Sequence, residues 1–328
     1  MFDIITFGSA TRDIIVKPKS LSVLKYDKEQ ANNNNEVCFP LGSKIDIEQI
    51  YFNNGGGGTN TSATFANQGF KTAFFGVVGQ DLAGQEIIEE LKSLGVNTKF
   101  VLKSKEKKTN HSIVILGINK ERTILAYRGA SELMGKDNIP WSKLKARWIY
   151  LAPLTGLSCE AFSSIVDFSK EINMRVAVNP GMAQLSLPNF PEIAKKIDIL
   201  ILNQEEASFL SKIPLTQEEE IFKKIDELCP GIAVMTKGGE GVVVSDGKQV
   251  FKAKPIADRE VVDTTGAGDA FGSGFVAGFI QSKGDIEKAI QLGMANSEGC
   301  ISQIGAKNGL LKKGQEFKEV EVKKEEIL

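Results

Sequence analysis

Residues 262–271, VDTTGAGDAF, set an aspartate directly behind small residues that open an apolar, helix-like segment. Gly266, Ala267 and Gly268 are small enough to let the main chain approach an anion closely. The free amides and the dipole of a helix N-terminus favour negative charge there. Asp269 would bind phosphate poorly, but it is well placed to take a proton from a hydroxyl group that attacks one. The run therefore predicts phosphoryl transfer.

A second run, NNGGGGTN over residues 53–60, is followed at once by a small-residue helix pattern over 61–68. Glycines at this point let a ligand lie against the main chain, and Asn60 offers one donor and one acceptor to vicinal hydroxyls. Asp13, just after the first strand, could accept two hydrogen bonds from the same kind of ligand. The alternatives are a linker for the glycines and a turn residue for Asp13.

Two further segments follow predicted strands. Asn203 and Glu206 stand one helical turn apart after the apolar run 199–202, at the carboxyl end of the sheet, where α/β proteins bind ligands. Oxygen ligands of this kind suit Mg²⁺, often through water; an N-cap with a solvated acidic turn is the alternative. The glycines of residues 236–241, TKGGEG, could lie under a nucleotide, or the segment could be a plain hairpin turn.

The elements that must position these residues alternate between short β-rich runs and helical patterns. A strand over 72–78 precedes a helix over 82–94, and the pattern repeats to residue 210, which predicts an α/β fold with a mostly parallel sheet flanked by helices. Residues 11–54 and 99–128 break the rhythm, because they hold β-like runs without helices. We expect them to form a small β lid over a core of residues 1–10, 55–98 and 129–328.

The composition narrows the choice of partner. The chain has 40 basic and 41 acidic residues among 328, so no global charge draws it to nucleic acid or to an anionic membrane. Its four cysteines form no C-x-x-C pair and its one histidine excludes His-containing triads and H-E-x-x-H sites. No apolar stretch is long enough to span a membrane. We expect a cytoplasmic protein that acts on a small molecule.

Taken together, these segments resemble the ribokinase-like (PfkB) carbohydrate kinases. The resemblance runs in order through Asp13, the Gly-Gly-x-Gly-x-Asn of residues 55–60, the VGQD of 78–81, the Asn-x-x-Glu of 203–206 and the DTTGAGD of 263–269. It implies an ATP- and Mg²⁺-dependent kinase with a Rossmann-type core and a β lid through which two copies form a homodimer.

The resemblance also implies roles for single residues. Asp269 is similar to the family's catalytic base and residues 266–268 to its anion hole, while the acceptor would rest on Asp13, Gly56 and Asn60. Glu206 would hold Mg²⁺ through water. The residues assigned to the ATP side are Asn203, Thr236, Lys237, Gly238, Gly239, Gly241 and Asn296. Asp263 and Thr265 match a loop that binds a monovalent cation in this family.

Departures from the family pattern bear on the acceptor. Ribokinases and sugar-phosphate kinases usually carry lysine where Gly57 stands, and residues 151–154 lack the glutamate of ribokinases. Arg128, at the end of a lid strand, could pair with an acidic sugar or a phosphate, or be solvated. The stretch after residues 305–306 also departs from the ribokinase pattern, so a requirement for K⁺ stays open.

The sequence also suggests alternatives to a sugar kinase. A nucleoside kinase of the same family is the first alternative. A dinucleotide-binding oxidoreductase is suggested by Gly272, Gly274 and Ala277, which match G-x-G-x-x-A, but no strand precedes them and they fall inside a predicted helix. A catalytically inactive nucleotide sensor is the third, and Asp269 with its glycine loop argues against it. A P-loop enzyme is excluded, because no G-x-x-x-x-G-K-[ST] occurs.

Overall fold

The structure is a computed structural model, and it describes residues 1–24, 36–117, 122–257 and 261–326. Its strands are, in chain order, β1 (Phe2–Phe7), β2 (Thr11–Pro18), β3 (Ser22–Leu24), β4 (Glu36–Cys38), β5 (Ile47–Gly55), β6 (Thr72–Gly79), β7 (Asn97–Ser104), β8 (Asn110–Leu116), β9 (Arg122–Tyr127), β10 (Ala146–Leu151), β11 (Arg175–Val178), β12 (Ile199–Asn203), β13 (Ile232–Thr236), β14 (Val242–Ser245), β15 (Gln249–Ala253) and β16 (Val322–Glu326).

The α-helices are α1 (Gly57–Asn67), α2 (Leu82–Ser93), α3 (Leu157–Glu160), α4 (Phe162–Glu171), α5 (Met182–Leu185), α6 (Phe190–Ala194), α7 (Gln204–Ser211), α8 (Glu218–Leu228), α9 (Ala267–Gln281) and α10 (Ile286–Ile301).

A ten-stranded sheet forms the centre of the molecule, in the order β16-β15-β14-β13-β12-β11-β10-β1-β6-β7. The strands from β7 to β13 run parallel, and β14, β15 and β16 extend the sheet antiparallel. Strand β6 is buried along its whole length, as expected for a sheet that helices cover on both faces. The predicted α/β architecture is therefore confirmed.

Successive side chains of the central strands enter two different hydrophobic clusters. Ile149 packs with Phe162 and Phe190 on one face, whereas Tyr150 packs with Phe65 and Phe275 on the other. This alternation follows from the pleat of a strand. Both faces are thus sealed by helices, and the polar residues that end the strands are left at the carboxyl edge of the sheet.

The glycines that mimic a dinucleotide-binding motif lie inside α9 and allow close packing of the core. A Cβ at Gly272 would lie 2.6 Å from the hydroxyl of Tyr150, and one at Gly274 would lie 3.0 Å from Cβ of Asn296 on α10. The motif is therefore explained by helix packing, and the oxidoreductase alternative has no structural support.

A separate sheet, in the order β5-β2-β8-β9, stands apart from the central one, and β3 pairs with β4 beside it. This sheet is the predicted lid. The prediction that the second lid segment begins at residue 99 is wrong, however, because β7 pairs with β6 as an edge strand of the central sheet. Strand β7 is buried only in part, because it lies at the edge of the sheet. Its sequence therefore mixes polar and apolar residues, as a lid strand does.

Candidate active site

The two glycine-opened helices meet at their N-termini. The Nδ2 amide of Asn60, in the first turn of α1, donates a hydrogen bond to Oδ2 of Asp269, in the first turn of α9, at 2.9 Å. A Cβ built on Gly57 would lie 3.4 Å from the other carboxylate oxygen of Asp269. The structure therefore brings Asn60, Gly57 and Asp269 to one point, although more than 200 residues separate the two runs along the chain.

The N-terminus of α9 offers an opening for an anion. Gly266 caps the helix at φ 79°, a left-handed conformation that suits glycine. The amide of Ala267 donates to the carbonyl of Thr264 at 3.3 Å, whereas the amides of Gly268 and Asp269 have no acceptor in the described part of the chain. A Cβ at Gly268 would meet nothing within 4 Å. Donors and free space coincide there, as anion binding requires.

Asp269 has the electrostatic setting of a general base. Desolvation raises the pKa of its carboxyl above the ordinary value, and the hydrogen bond from Asn60 opposes that rise. A carboxylate with a raised pKa accepts a proton more readily, provided that it is ionised at the working pH. The contact with Asn60 also fixes one oxygen and leaves Oδ1 facing Gly57.

The lid contributes a row of polar side chains. Asp13 on β2 lies directly opposite Asn53 on β5 and beside Ser112 on β8, so the three side chains share one face. Asp13 is only 7% exposed. Desolvation raises the pKa of Asp13 to about 6, opposed mainly by a hydrogen bond with Ser112. The sequence predicted Asp13, but Asn53 and Ser112 become visible only through the register of the sheet.

Two buried amide atoms in this region have no hydrogen-bond partner among the described residues. They are Nδ2 of Asn53 and Oδ1 of Asn60. An orphaned buried donor or acceptor costs about 1–3 kcal/mol unless something satisfies it. One donor and one acceptor beside Asp13 and Asp269 match the needs of hydroxyl groups on a bound ligand.

A buried cation that the sequence did not predict lies beside the glycine run that opens α1. The side chain of Lys307 is 6% exposed and pairs with Glu90 on α2 at 2.8 Å, and its Nζ lies 3.5 Å from Oγ1 of Thr59. Its charge also lowers the pKa of Asp13. Lys307 stands just after residues 305–306, where the sequence departs from the ribokinase pattern, and only the tertiary structure brings it beside the glycine run.

At the carboxyl edge of the sheet, Asn203 and Glu206 form a reciprocal capping box. Oδ1 of Asn203 accepts from the amide of Glu206 at 2.8 Å, and Oε2 of Glu206 accepts from the amide of Asn203 at 2.9 Å. Desolvation raises the pKa of Glu206. One carboxylate oxygen remains for a ligand. This fits a Mg²⁺ ion held mainly by phosphate and water, to which the protein adds a single oxygen.

The segment 236–241 lies beside this corner, because Thr236 is the register partner of Asn203. It forms the predicted turn between β13 and β14. Cβ atoms at Gly238 and Gly239 would meet nothing within 4 Å, whereas one at Gly241, φ 101°, would collide with the carbonyl of Ala253. Gly241 is therefore required by the turn, and the first two glycines leave its surface open.

Lys237 pairs with Glu218 and with Glu240. It borders a cleft of about 490 Å³ whose wall also includes Val242, Pro255 and Ile256. The cleft lies at the same edge of the sheet, since Val242 begins β14 and Pro255 follows β15.

Of the remaining predicted site residues, Asn296 is buried and Arg128 is exposed. Asn296 is fully buried: its amide donates to the carbonyl of Ala270 at 2.7 Å and to Thr64, and accepts from the amide of Leu311 at 2.9 Å. Both polar atoms of the Asn296 amide are thus engaged within the core, and its assignment to the ATP side stays a prediction. Arg128 follows β9 directly and is exposed.

Asp263 and Thr265 belong to the loop that leads into α9. Oδ1 of Asp263 accepts from the amide of Thr265 at 2.9 Å and from its hydroxyl at 2.7 Å, and Oδ2 accepts from the amide of Gly305 at 2.9 Å. Arg122 of the lid reaches the same two side chains: its Nη1 lies 3.5 Å from Oδ1 of Asp263 and donates to the Thr265 hydroxyl.

Residues 3–313 match the pfkB family carbohydrate kinase description. The chain belongs to this family. An uncharacterized sugar kinase from Archaeoglobus fulgidus is 30% identical to this chain over 247 residues, which cover 74% of this chain and 96% of that protein. A cytidine kinase from Thermococcus kodakarensis is 26% identical over 278 residues, or 82% of the chain and 93% of that protein.

Among solved structures, Arabidopsis thaliana ribokinase complexed with ribose and ATP shares the pfkB fold found here. The TM-score is 0.75 at 23% identity, covering 94% of this chain and 95% of that one. As a pfkB kinase, the enzyme is a phosphotransferase that acts on an alcohol group. In the described ranges no helix has the length and apolar character to cross a bilayer.

Within the same ranges, no cluster of three or more His, Cys, Asp or Glu side chains is arranged to bind a metal by itself.

Proposed function

We propose that this pfkB enzyme transfers the γ-phosphoryl group of ATP to a hydroxymethyl group of an uncharged sugar, with Asp269 as general base. The observation that carries the proposal is the contact between Asn60 and Asp269. It joins the residue suited to hold an acceptor hydroxyl to the residue suited to remove its proton, beside the free amides of α9.

In the proposed reaction the acceptor lies between the lid row and α1, on Asp13, Gly56 and Asn60. Asp269 takes the proton of the acceptor hydroxyl while that oxygen forms a bond to the γ-phosphorus. The bond between the γ-phosphorus and the bridging oxygen breaks, and its electron pair leaves with ADP. The backbone amides of residues 266–268 stabilise the negative charge on the phosphoryl group while it is transferred.

ATP would approach along the carboxyl edge of the sheet. Its base and ribose would lie near Thr236, Gly238 and Gly239, and its phosphates would extend past Asn203 toward α9. Mg²⁺ shields the phosphate charge when it is bound, and Glu206 is the residue suited to hold it through water. The open surface above Gly238 and Gly239 supports this path.

An uncharged acceptor is favoured by the charges near Asp13. Gly57 supplies no cation on the acceptor side, and the nearby Lys307 is already paired with Glu90. Arg12 is likewise engaged with Glu86 at 2.9 Å. A phosphate or carboxylate on the acceptor would have to compete for these cations. Arg128, by contrast, is an exposed cation of the lid. It is the residue to substitute if an acidic sugar proves to be the acceptor.

The acceptor is tested by measuring ADP release with ribose, fructose, keto-deoxy sugar acids, adenosine, inosine and cytidine, each with Mg²⁺-ATP. Highest kcat/KM with a neutral sugar supports the proposal. Preference for a nucleoside, the acceptor class named for the Thermococcus relative, would replace it with the nucleoside kinase alternative. Tight ATP binding without turnover of any acceptor would favour a sensor.

We further propose that the enzyme forms a homodimer through the outer face of its lid. Phe52, Ile14, Ile113 and Leu125 are register neighbours across all four lid strands. Phe52 and Leu125 are 56% and 55% exposed. A contiguous apolar face of this kind marks a contact surface. Light scattering should give the mass of two chains for the wild type and of one for Leu125→Lys; a monomeric wild type would contradict the proposal.

A further inference from the structure

Arg122 is the first residue of the lid strand β9, and its side chain lies on the same face of the lid as Asp13. Side chains alternate along a strand, and Ala126 is the register partner of Ser112, so Arg122 shares the face of Ser112 and Asp13. From there its guanidinium contacts Asp263 and Thr265, as described above. A lid residue thus enters the loop that the sequence matched to a monovalent-cation site.

The two side chains in question are already saturated. The carboxylate of Asp263 accepts three hydrogen bonds from Thr265 and Gly305, and the Thr265 hydroxyl donates to Asp263 while it accepts from Arg122. The guanidinium supplies a positive charge next to Asp263, whose side chain is 12% exposed. These residues therefore do not fit a cation held by their side chains.

A positive charge beside Asp263 offsets the charge of a carboxylate that is mostly buried. Asp263 is near enough to Asp13 for its negative charge to raise the pKa of Asp13. Mutual repulsion between partly buried carboxylates favours a cation between the lid and the loop. The side chain of Arg122 is 30% exposed, and it carries a positive charge from the lid to Asp263.

The same loop holds the anion hole in place. Asp263 binds the amide of Gly305, and the neighbouring Ala306 packs against Gly266, where a Cβ would lie 2.4 Å from that of Ala306. Thr264 in turn accepts from the amide of Ala267. Compensation of the charge on Asp263 therefore bears directly on the position of the first amides of α9.

We propose that Arg122 takes the place of the monovalent cation in this enzyme, so that the lid supports the anion hole with its own charge. The inference rests on the proposed function. Its consequence is that the wild-type enzyme responds equally to K⁺ and to a large inert cation, and that a variant lacking the guanidinium acquires a response to K⁺.

The first test uses the protein without acceptor. Unfolding midpoints are measured for the wild type, Arg122→Gln and Lys17→Gln in KCl and in tetramethylammonium chloride at equal ionic strength. Lys17 is the matched control, because it is a lid cation paired with Glu48 at the surface. We expect equal midpoints in both salts for the wild type and Lys17→Gln. Arg122→Gln should unfold at a lower temperature in tetramethylammonium and recover in part in KCl.

The second test measures the rate with the best acceptor. Arg122→Gln should be about tenfold slower than the wild type without K⁺, and KCl should restore much of the loss, on the scale of typical coupling between sites. A wild type that K⁺ activates or stabilises would overturn the proposal, as would an Arg122→Gln variant indifferent to the choice of salt. If no acceptor is phosphorylated, the proposed function fails, and the unfolding test still decides the role of Arg122.

Discussion

Asn60 and Asp269 lie on different helices, and a single hydrogen bond of 2.9 Å joins them at the N-termini of both. The bond has two consequences. It holds the carboxylate of Asp269 beside Gly57, and it stabilises the charged form of that carboxylate against the effect of desolvation. Asn60 therefore both positions the carboxylate of Asp269 and limits how far its pKa rises.

Substitution of Asn60 should move the pH profile in a defined direction. In Asn60→Ala the bond that lowers the pKa of Asp269 is lost, so that pKa should rise. A base must be ionised to act, and the acid limb of kcat/KM should therefore shift to higher pH. Asn67→Ala, at the other end of α1, is the control and should keep the wild-type profile. An unshifted acid limb in Asn60→Ala would show that Asp269 does not govern it.

Two glycines at the start of α9 should respond in opposite ways to alanine. Gly268→Ala places its methyl group in open space, so it should raise the stability by about 0.5–1 kcal/mol through helix propensity. The same methyl group would occupy the approach of the phosphoryl group, and kcat/KM should fall by about tenfold or more. Unfolding curves test the predicted gain in stability, and steady-state rates test the predicted fall in kcat/KM.

Gly266→Ala is the matched variant. It demands a positive φ from alanine and a contact of 2.4 Å with Ala306, so it should lower the stability by about 1–3 kcal/mol. A stable Gly268→Ala enzyme with full activity would mean that the phosphate does not bind against these amides.

Asp13 should destabilise the free enzyme at neutral pH. Its pKa is 3.8 when unperturbed and about 6 in the fold, so the folded state prefers the protonated carboxyl. The associated stability is present at low pH and is lost as the pH rises through about 6, with a total of about 3 kcal/mol.

Asp13→Asn should therefore be more stable than the wild type above this range, with a gain that shrinks toward acidic pH. Acceptor binding should be lost in the same variant. Denaturant unfolding across the pH range tests this, with the exposed lid residue Asp46 changed to Asn as the control. A gain of equal size at every pH would contradict the assigned titration.

The sequence predicted the local parts of this site, because each is a short run whose residue types determine its own backbone conformation. The glycines at 55–58 and 266–268 lie at helix N-termini as expected, and Asn203 is an N-cap at a strand end. The parallel core followed equally from the alternation of strand and helix patterns.

The remainder depended on contacts between distant segments. Asn53 and Ser112 join Asp13 only through the register of the lid strands. Lys307 and Arg122 reach the site from segments whose sequences resemble ordinary solvated stretches. Asn296 stands in a helix that the tertiary structure turns inward, where its amide joins α1 and α9. No local pattern distinguishes these positions from surface ones.

The most direct measurement is the steady-state rate of Asp269→Asn with Mg²⁺-ATP and the best acceptor, together with its affinity for ATP. The substitution keeps the shape of the side chain and removes its ability to take a proton. We predict a fall in kcat of about a hundredfold or more with ATP affinity largely kept. Turnover at the wild-type rate would contradict the assignment of Asp269 as the general base, and with it the mechanism.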